Sequence, residues 1–177
     1  MDYFIMQTDP KLNNVVKLSN WQESLNDDPI TNYLAVVPIK TRCIFVEDGP
    51  AHEYPDYFEK PLTLIAEKFK DVINAYQNGI EFQPIVLTEE KTHKQTVYYL
   101  MSAPMIDCAS SESKLDHIGK IKELVLDTEK VGHYKIFYAA GFVNRLIVRL
   151  DVAESILRRD SYGITFEKLI REDNNNG

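Results

Sequence analysis

Ile80-Glu81-Phe82-Gln83-Pro84-Ile85-Val86-Leu87, a polar stretch from Thr88 to Gln95, and then Thr96-Val97-Tyr98-Tyr99-Leu100-Met101 together decide the fold. Both flanking runs are rich in β-branched and aromatic residues, and the polar insert supplies a turn, so the stretch predicts a long β-hairpin. Further along, Lys122 to Leu126, Tyr134 to Tyr138 and Arg145 to Leu150 read as strands, with Gly132 and Gly141 marking turns and Ser110 to Lys114 a polar loop. Toward the N-terminus, Tyr3 to Gln7, Leu34 to Ile39 and Arg42 to Val46 read as short strands, the last ended by the turn Glu47-Asp48-Gly49-Pro50. Asn13 to Pro29 is polar and turn-rich, and it holds the chain's one Trp, Trp21, which reads as a core anchor or an interface hot spot.

Two stretches carry helical spacing. Between Pro61 and Gln77, the residues Leu62, Ile65, Ala66, Phe69, Val72, Ile73 and Tyr76 recur at steps of three and four, as one buried face requires. Pro61 suits a first turn, Asn78-Gly79 suits a stop, and Glu67, Lys68, Lys70 and Asp71 form the solvated side. Val152 to Arg159 reads as a shorter helix, with Asp151 as N-cap and Glu154 completing a capping-box-like pair. Gly163 then permits a sharp exit into Ile164-Thr165-Phe166-Glu167, and Asp173 to Gly177 is a polar tail. No internal repeat or long linker is visible. The expectation is a single α+β domain over residues 1–177: a mostly antiparallel sheet, one long amphipathic helix and a short C-terminal helix. Residues 1–79 are the part that could form a subdomain.

Composition limits function more than it suggests one. The 177 residues are 44% apolar and 27% charged, which excludes wholesale disorder. Lys plus Arg number 20 against 27 Asp plus Glu, a net charge of −7, so binding a phosphate backbone by counterion release is disfavoured and no nucleic-acid partner is expected. No apolar run approaches the ~20 residues of a membrane span, and Met1-Asp2 lacks the basic start of a signal peptide. The expected compartment is the cytoplasm, with no membrane contact and with Cys43 and Cys108 as reduced thiols.

The search for chemistry returns little. His52, His93, His117 and His133 lack helical metal-ligand spacing, and His52-Glu53-Tyr54-Pro55-Asp56 is interrupted by Pro55, so neither a metal nor a cofactor is expected. Phosphate-cradling and nucleophile-elbow motifs are missing from the sequence. Asp107, Cys108 and His117 lie close in sequence and leave open a small-molecule or hydrolytic pocket. The acidic surplus is spread over Asp27-Asp28, Glu47-Asp48, Glu53 with Asp56, and Glu89-Glu90. Each pair reads as a solvated loop or as part of a docking surface for a basic partner.

One resemblance goes further. Tyr98-Tyr99-Leu100-Met101, Ile106-Asp107-Cys108 and Ser113 resemble the central signature of the eleventh of the bacterial immunity families named from polymorphic toxin loci, formerly a domain of unknown function. Leu124-Val125-Leu126-Asp127, Ile136-Phe137 and Leu146-Ile147-Val148 follow in order. Ile156-Leu157-Arg158 and Gly163-Ile164-Thr165-Phe166-Glu167 close it. The likeness spans roughly Gln95 to Lys168. It departs from the family at Arg149-Leu150-Asp151, where a Ser usually caps the helix. It implies a non-enzymatic inhibitor that binds a cognate toxin. The candidate partner-binding residues are then Asp27, Asp28, Glu47, Asp48, Glu53 and Asp107, toward a toxin that the charge allows to be basic.

Overall fold

A computed structural model describes residues 1–26, 41–47, 49, 52–142 and 145–172. The chain begins with β1 (Tyr3–Thr8), α1 (Trp21–Asn26), β2 (Arg42–Val46), β3 (Tyr57–Phe58), β4 (Leu64–Ala66) and α2 (Glu67–Tyr76). The hairpin follows as β5 (Glu81–Glu89) and β6 (Gln95–Ser102), then β7 (Met105–Ile106), β8 (Lys114–Leu115), β9 (Ile121–Glu123) and β10 (Val125–Leu126). The remaining elements are α3 (Thr128–Val131), β11 (Ile136–Ala139), β12 (Leu146–Arg149), α4 (Leu150–Leu157), β13 (Ile164–Lys168) and β14 (Ile170–Arg171).

Among the described residues these strands make two five-stranded sheets, ordered β13-β1-β12-β11-β7 and β2-β5-β6-β4-β3, with short pairs β10-β14 and β8-β9 beside them. The pairing is mostly antiparallel, with β7 on β11, β2 on β5 and β10 on β14 parallel. The hairpin read from the sequence is the longest ladder, running from Glu81 opposite Ser102 to Thr88 opposite Gln95.

The two sheets repeat one topology. In one, the antiparallel pair β3-β4 leads without an intervening residue into α2, the chain returns as β5, and β6 slots between β5 and β4. In the other, the antiparallel pair β11-β12 leads directly into α4, the chain returns as β13, and β1 slots between β13 and β12. The inserted strand is antiparallel to both neighbours in each case. Each helix packs on its own preceding and inserted strands, and the helices pack on each other. The units differ in connectivity: β6 follows its unit, whereas β1 reaches its place from the start of the chain. What repeats is the order of elements and not the residues, so the sequence shows no repeat.

Both sheets are buried on both faces. The core between them joins Met6, Leu146, Val148 and Ile164 to Ile65 and Met101 through Phe69, Ile73, Val152 and Ile156 of the helices. The outer face of one sheet carries Ile44, Phe58, Leu64, Ile85, Leu87 and Leu100 under residues 15–18, with Trp21 half-buried against it. The outer face of the other carries Tyr3, Phe137 and Ile147 under Cys108, Leu126 and Val131. Double-sided burial explains strands such as Leu146-Ile147-Val148, which are apolar throughout.

The helices depart from expectation. The stretch from Pro61 to Gln77 is not one long helix: Leu64 to Ala66 form a strand paired with Tyr98 to Leu100, and the helix proper is Glu67–Tyr76, of ten residues. Leu62, Ile65 and Ala66 fit helical spacing, yet adjacent Leu64 and Ile65 are both fully buried on opposite faces of a sheet, and tertiary pairing overrides the local pattern. Asp151 is not the N-cap either. The helix starts one residue before it, Arg149 is the cap without a side-chain cap bond, and Asp151 receives Arg149's guanidinium at 2.8 Å. The turn-rich stretch before Pro29 contains the short helix α1. Leu34 to Ile39 and the tail from Asp173 lie outside the described residues.

One buried group has a testable consequence. Tyr57 is fully buried between the sheets, and its hydroxyl makes no hydrogen bond among the described residues. A buried hydroxyl without a partner costs about 1–3 kcal/mol in lost hydration. Tyr57→Phe is therefore expected to leave stability unchanged or to raise it, measured by urea denaturation; a loss above about 1 kcal/mol would mean the hydroxyl has a partner.

Candidate functional site

The sequence-derived acidic residues meet different fates. Asp27, Asp28 and Asp48 lie outside the described residues. Glu47 is exposed at the end of β2, with its backbone N–H donating to the Lys17 carbonyl at 2.9 Å. Glu53 is half-buried and committed inside the molecule. Its carboxylate accepts the Asn14 N–H at 2.9 Å and the Tyr162 hydroxyl at 2.9 Å, and these two bonds hold its pKa below the ordinary value.

Asp56, three residues on, accepts the Tyr162 N–H at 2.6 Å and pairs with Lys68 at 2.7 Å. Lys68 also donates to the Asp160 carbonyl at 2.9 Å. Glu53 and Asp56 thus bracket the turn that leads from α4 into β13, which suits a structural clasp better than a free docking face. Glu89 is similarly engaged: it accepts the Tyr54 hydroxyl, and Lys94 lies 4.2 Å over the Tyr54 ring.

Asp107, Cys108 and His117 are not gathered into an open site. Cys108 is fully buried in the core beneath Leu126 and Phe137, and burial, followed by the neighbouring Asp107 charge, pushes its thiol up to about 11. A protonated thiol closed to solvent is a poor nucleophile. Asp107 and His117 are both exposed. Asp107 does not cap the Ser110 loop, which Ser110 and Ser113 satisfy themselves: Ser110 Oγ accepts the Glu112 N–H, and Ser113 Oγ bonds both the N–H and the carbonyl of Val125. Cys43 is exposed, and both cysteines are free thiols.

Sequence reasoning missed two carboxylates with clear jobs. Asp127 is the N-cap of α3, accepting the Glu129 N–H at 3.0 Å and the Lys130 N–H at 3.3 Å. The local signal was available: an Asp directly before Thr128-Glu129-Lys130 is a cap pattern. Asp116 accepts the N–H groups of Ile118 and Lys120, each at 2.9 Å, and shapes the β8-β9 turn.

A cleft of about 670 Å³ lies against α2 and α4, lined by Tyr76, Asp151, Glu154, Ser155, Arg158 and Arg159. Its charges are balanced and mutually engaged, with Arg158 on Glu154 at 3.2 Å and Arg159 on the Ser155 carbonyl at 2.6 Å. Arg158 is paired with a carboxylate and Arg159 answers a carbonyl at the C-terminal end of α4, so the cleft has no surplus positive charge for an anion. Among the described residues no group of three or more His, Cys, Asp or Glu is arranged to hold a metal, and no helix is long and apolar enough to cross a membrane.

These networks set a pH response with two flanks. Glu53, held low by Asn14 and Tyr162, and Asp151, held low by Arg149, stabilise the fold fully above the ordinary carboxylate range; that contribution is lost as pH falls below that range and through their lowered values. Burial raises Cys108 from 9.0, and Tyr57 and Tyr98 from 10.0, so their contribution is complete below those values and lost as pH rises past them. Thermal melting across pH is expected to show a plateau between about 5 and 9 with falls on both sides. A melting temperature that stays flat above pH 10 would contradict the burial of these groups.

The chain matches no protein-family model and no curated protein, so the likeness over residues 95–168 rests on the residues quoted for it.

Proposed function

We propose that this protein binds and neutralises a bacterial toxin encoded beside its own gene, acting in the cytoplasm by protein–protein inhibition without catalysis. The observation that carries the reading is the ordered run of residues from Tyr98 to Glu167 that resembles the immunity family. Most of the residues quoted for it lie in strands β6, β10, β11, β12 and β13 and helix α4, which are scaffold, so recognition falls to the exposed loops. The rival reading, a hydrolytic or small-molecule site at Asp107, Cys108 and His117, would need its thiol to leave the core.

Co-expression with the neighbouring toxin is the test. The expected result is a stable complex and rescued growth; failure of both, or the lack of a toxin gene nearby, would end the reading. If these acids steer a basic toxin, reversing the charge at Asp27, Asp28, Glu47 and Asp48 should slow association and flatten its salt dependence. Unchanged rates would reject that surface and leave inhibition standing.

A further inference from the structure

The β8-β9 hairpin, residues 114–123, presents a patch that the fold itself does not use. Leu115, at the end of β8, is 60% exposed, and Ile118, in the turn that follows it, is 65% exposed. Single exposed apolar residues are ordinary, but two within one short hairpin are worth explaining. Here the turn is also held in shape. The Asp116 N–H donates to the Lys120 carbonyl at 2.7 Å, the Gly119 N–H returns to the Asp116 carbonyl at 3.2 Å, and the Asp116 carboxylate accepts the Ile118 and Lys120 N–H groups. Ile121 anchors the base of the hairpin against Phe142 and the core around Phe137.

Charge indicates what would cover the patch. The chain is acidic overall, yet this hairpin carries Lys114, Lys120 and Lys122. Lys114 is neutralised by Glu123 at 2.6 Å, and Asp116 faces its own turn. Lys120 and Lys122 make no salt bridge among the described residues, although the Lys122 charge reaches Glu123 and helps to hold its pKa low; three lysines against Asp116 and Glu123 leave residues 114–123 with one surplus positive charge in an otherwise acidic chain. A preorganised apolar tip flanked by lysines complements an apolar pocket edged by carboxylates.

We propose that the β8-β9 hairpin is the arm that docks into the toxin, with Leu115 and Ile118 entering an apolar pocket and Lys120 and Lys122 meeting carboxylates on its rim. This rests on the neutralising function proposed above and adds the surface and the chemistry it meets. It places an acidic site on the toxin whatever the toxin's net charge.

The experiment pairs the full chain with the neighbour-encoded toxin, in growth rescue and in binding by surface plasmon resonance. The variants are Leu115→Asp with Ile118→Asp, Lys120→Glu with Lys122→Glu, and Lys11→Glu as a control on another exposed loop. The apolar double variant should bind about 30-fold or more weakly and fail to rescue, with its melting temperature unchanged because neither side chain packs in the core. The lysine double variant should lose association rate most at low salt. Full rescue and wild-type affinity in the hairpin variants would overturn the docking arm while neutralisation stood. Failure of the wild type itself to bind and rescue would remove both proposals together. A loss of binding matched by Lys11→Glu would also overturn the assignment.

Discussion

Gly163→Ala is expected to cost about 2–5 kcal/mol and to lower the melting temperature by roughly 5–15 °C. Gly163 has φ +68, a conformation that a side-chain-bearing residue adopts with strain. Space is the larger obstacle. A Cβ placed there would lie 2.6 Å from Pro55 Cβ, 2.8 Å from Leu12 Cδ1 and 3.1 Å from Pro55 Cα. Two of those contacts belong to a proline ring and its backbone, which cannot rotate away. The same peptide accepts the Asp9 N–H at 2.9 Å, so a shift would also disturb the link from β13 to the end of β1. Gly79→Ala is the matched control: its φ is +80, but nothing lies within 4 Å of the added carbon, and it should cost only the conformational part, about 1 kcal/mol. Equal losses at the two positions would show that the close approach of Pro55 and Leu12 is not real.

Phe69→Ala should be comparably damaging, at about 3–5 kcal/mol. Phe69 is fully buried on α2, in the core where the helices meet both sheets. Removing the ring deletes its transfer free energy and leaves a cavity that two sheets and a second helix must collapse to fill, which rigid layers do poorly. In urea the midpoint should fall with little change in slope, since the surface exposed on unfolding is nearly the same. Phe69→Leu retains most of the volume and should lose less than half as much. A loss below about 1 kcal/mol for the alanine variant would contradict the shared core.

How much of this was legible in the sequence depends on the range of the interaction. The hairpin β5-β6 and the strand Arg42–Val46 were readable, because alternation, β-branching and turn residues are local. The start of α2 was not: apolar residues at Leu62, Ile65 and Ala66 satisfy helical spacing and also a strand covered on both faces, and only the distant partner Tyr98–Leu100 decides. The place of β1 between β12 and β13 depends on residues more than 130 positions away, beyond any local pattern. Site reading failed in the same manner. Glu53 and Asp56 look like loop acids until Tyr162 closes on both. Cys108 beside Asp107 looks like a site until the core covers the thiol.

The position of β1 also orders events during synthesis. Its pairing partners, Leu146–Arg149 and Ile164–Lys168, leave the ribosome roughly 140 residues later, some ~7–30 s at typical elongation rates. Throughout that interval Tyr3, Ile5 and Met6, all buried at the end, have no sheet to join. The unit around α2 has every strand it needs by Ser102 and can form while the chain is still growing. The unit around α4 closes only when β1 is recaptured by β12 and β13, made long after it. A nascent chain stalled before Leu146 would carry one finished sheet and one sticky, unpaired strand, which is the form most exposed to chaperones and to aggregation.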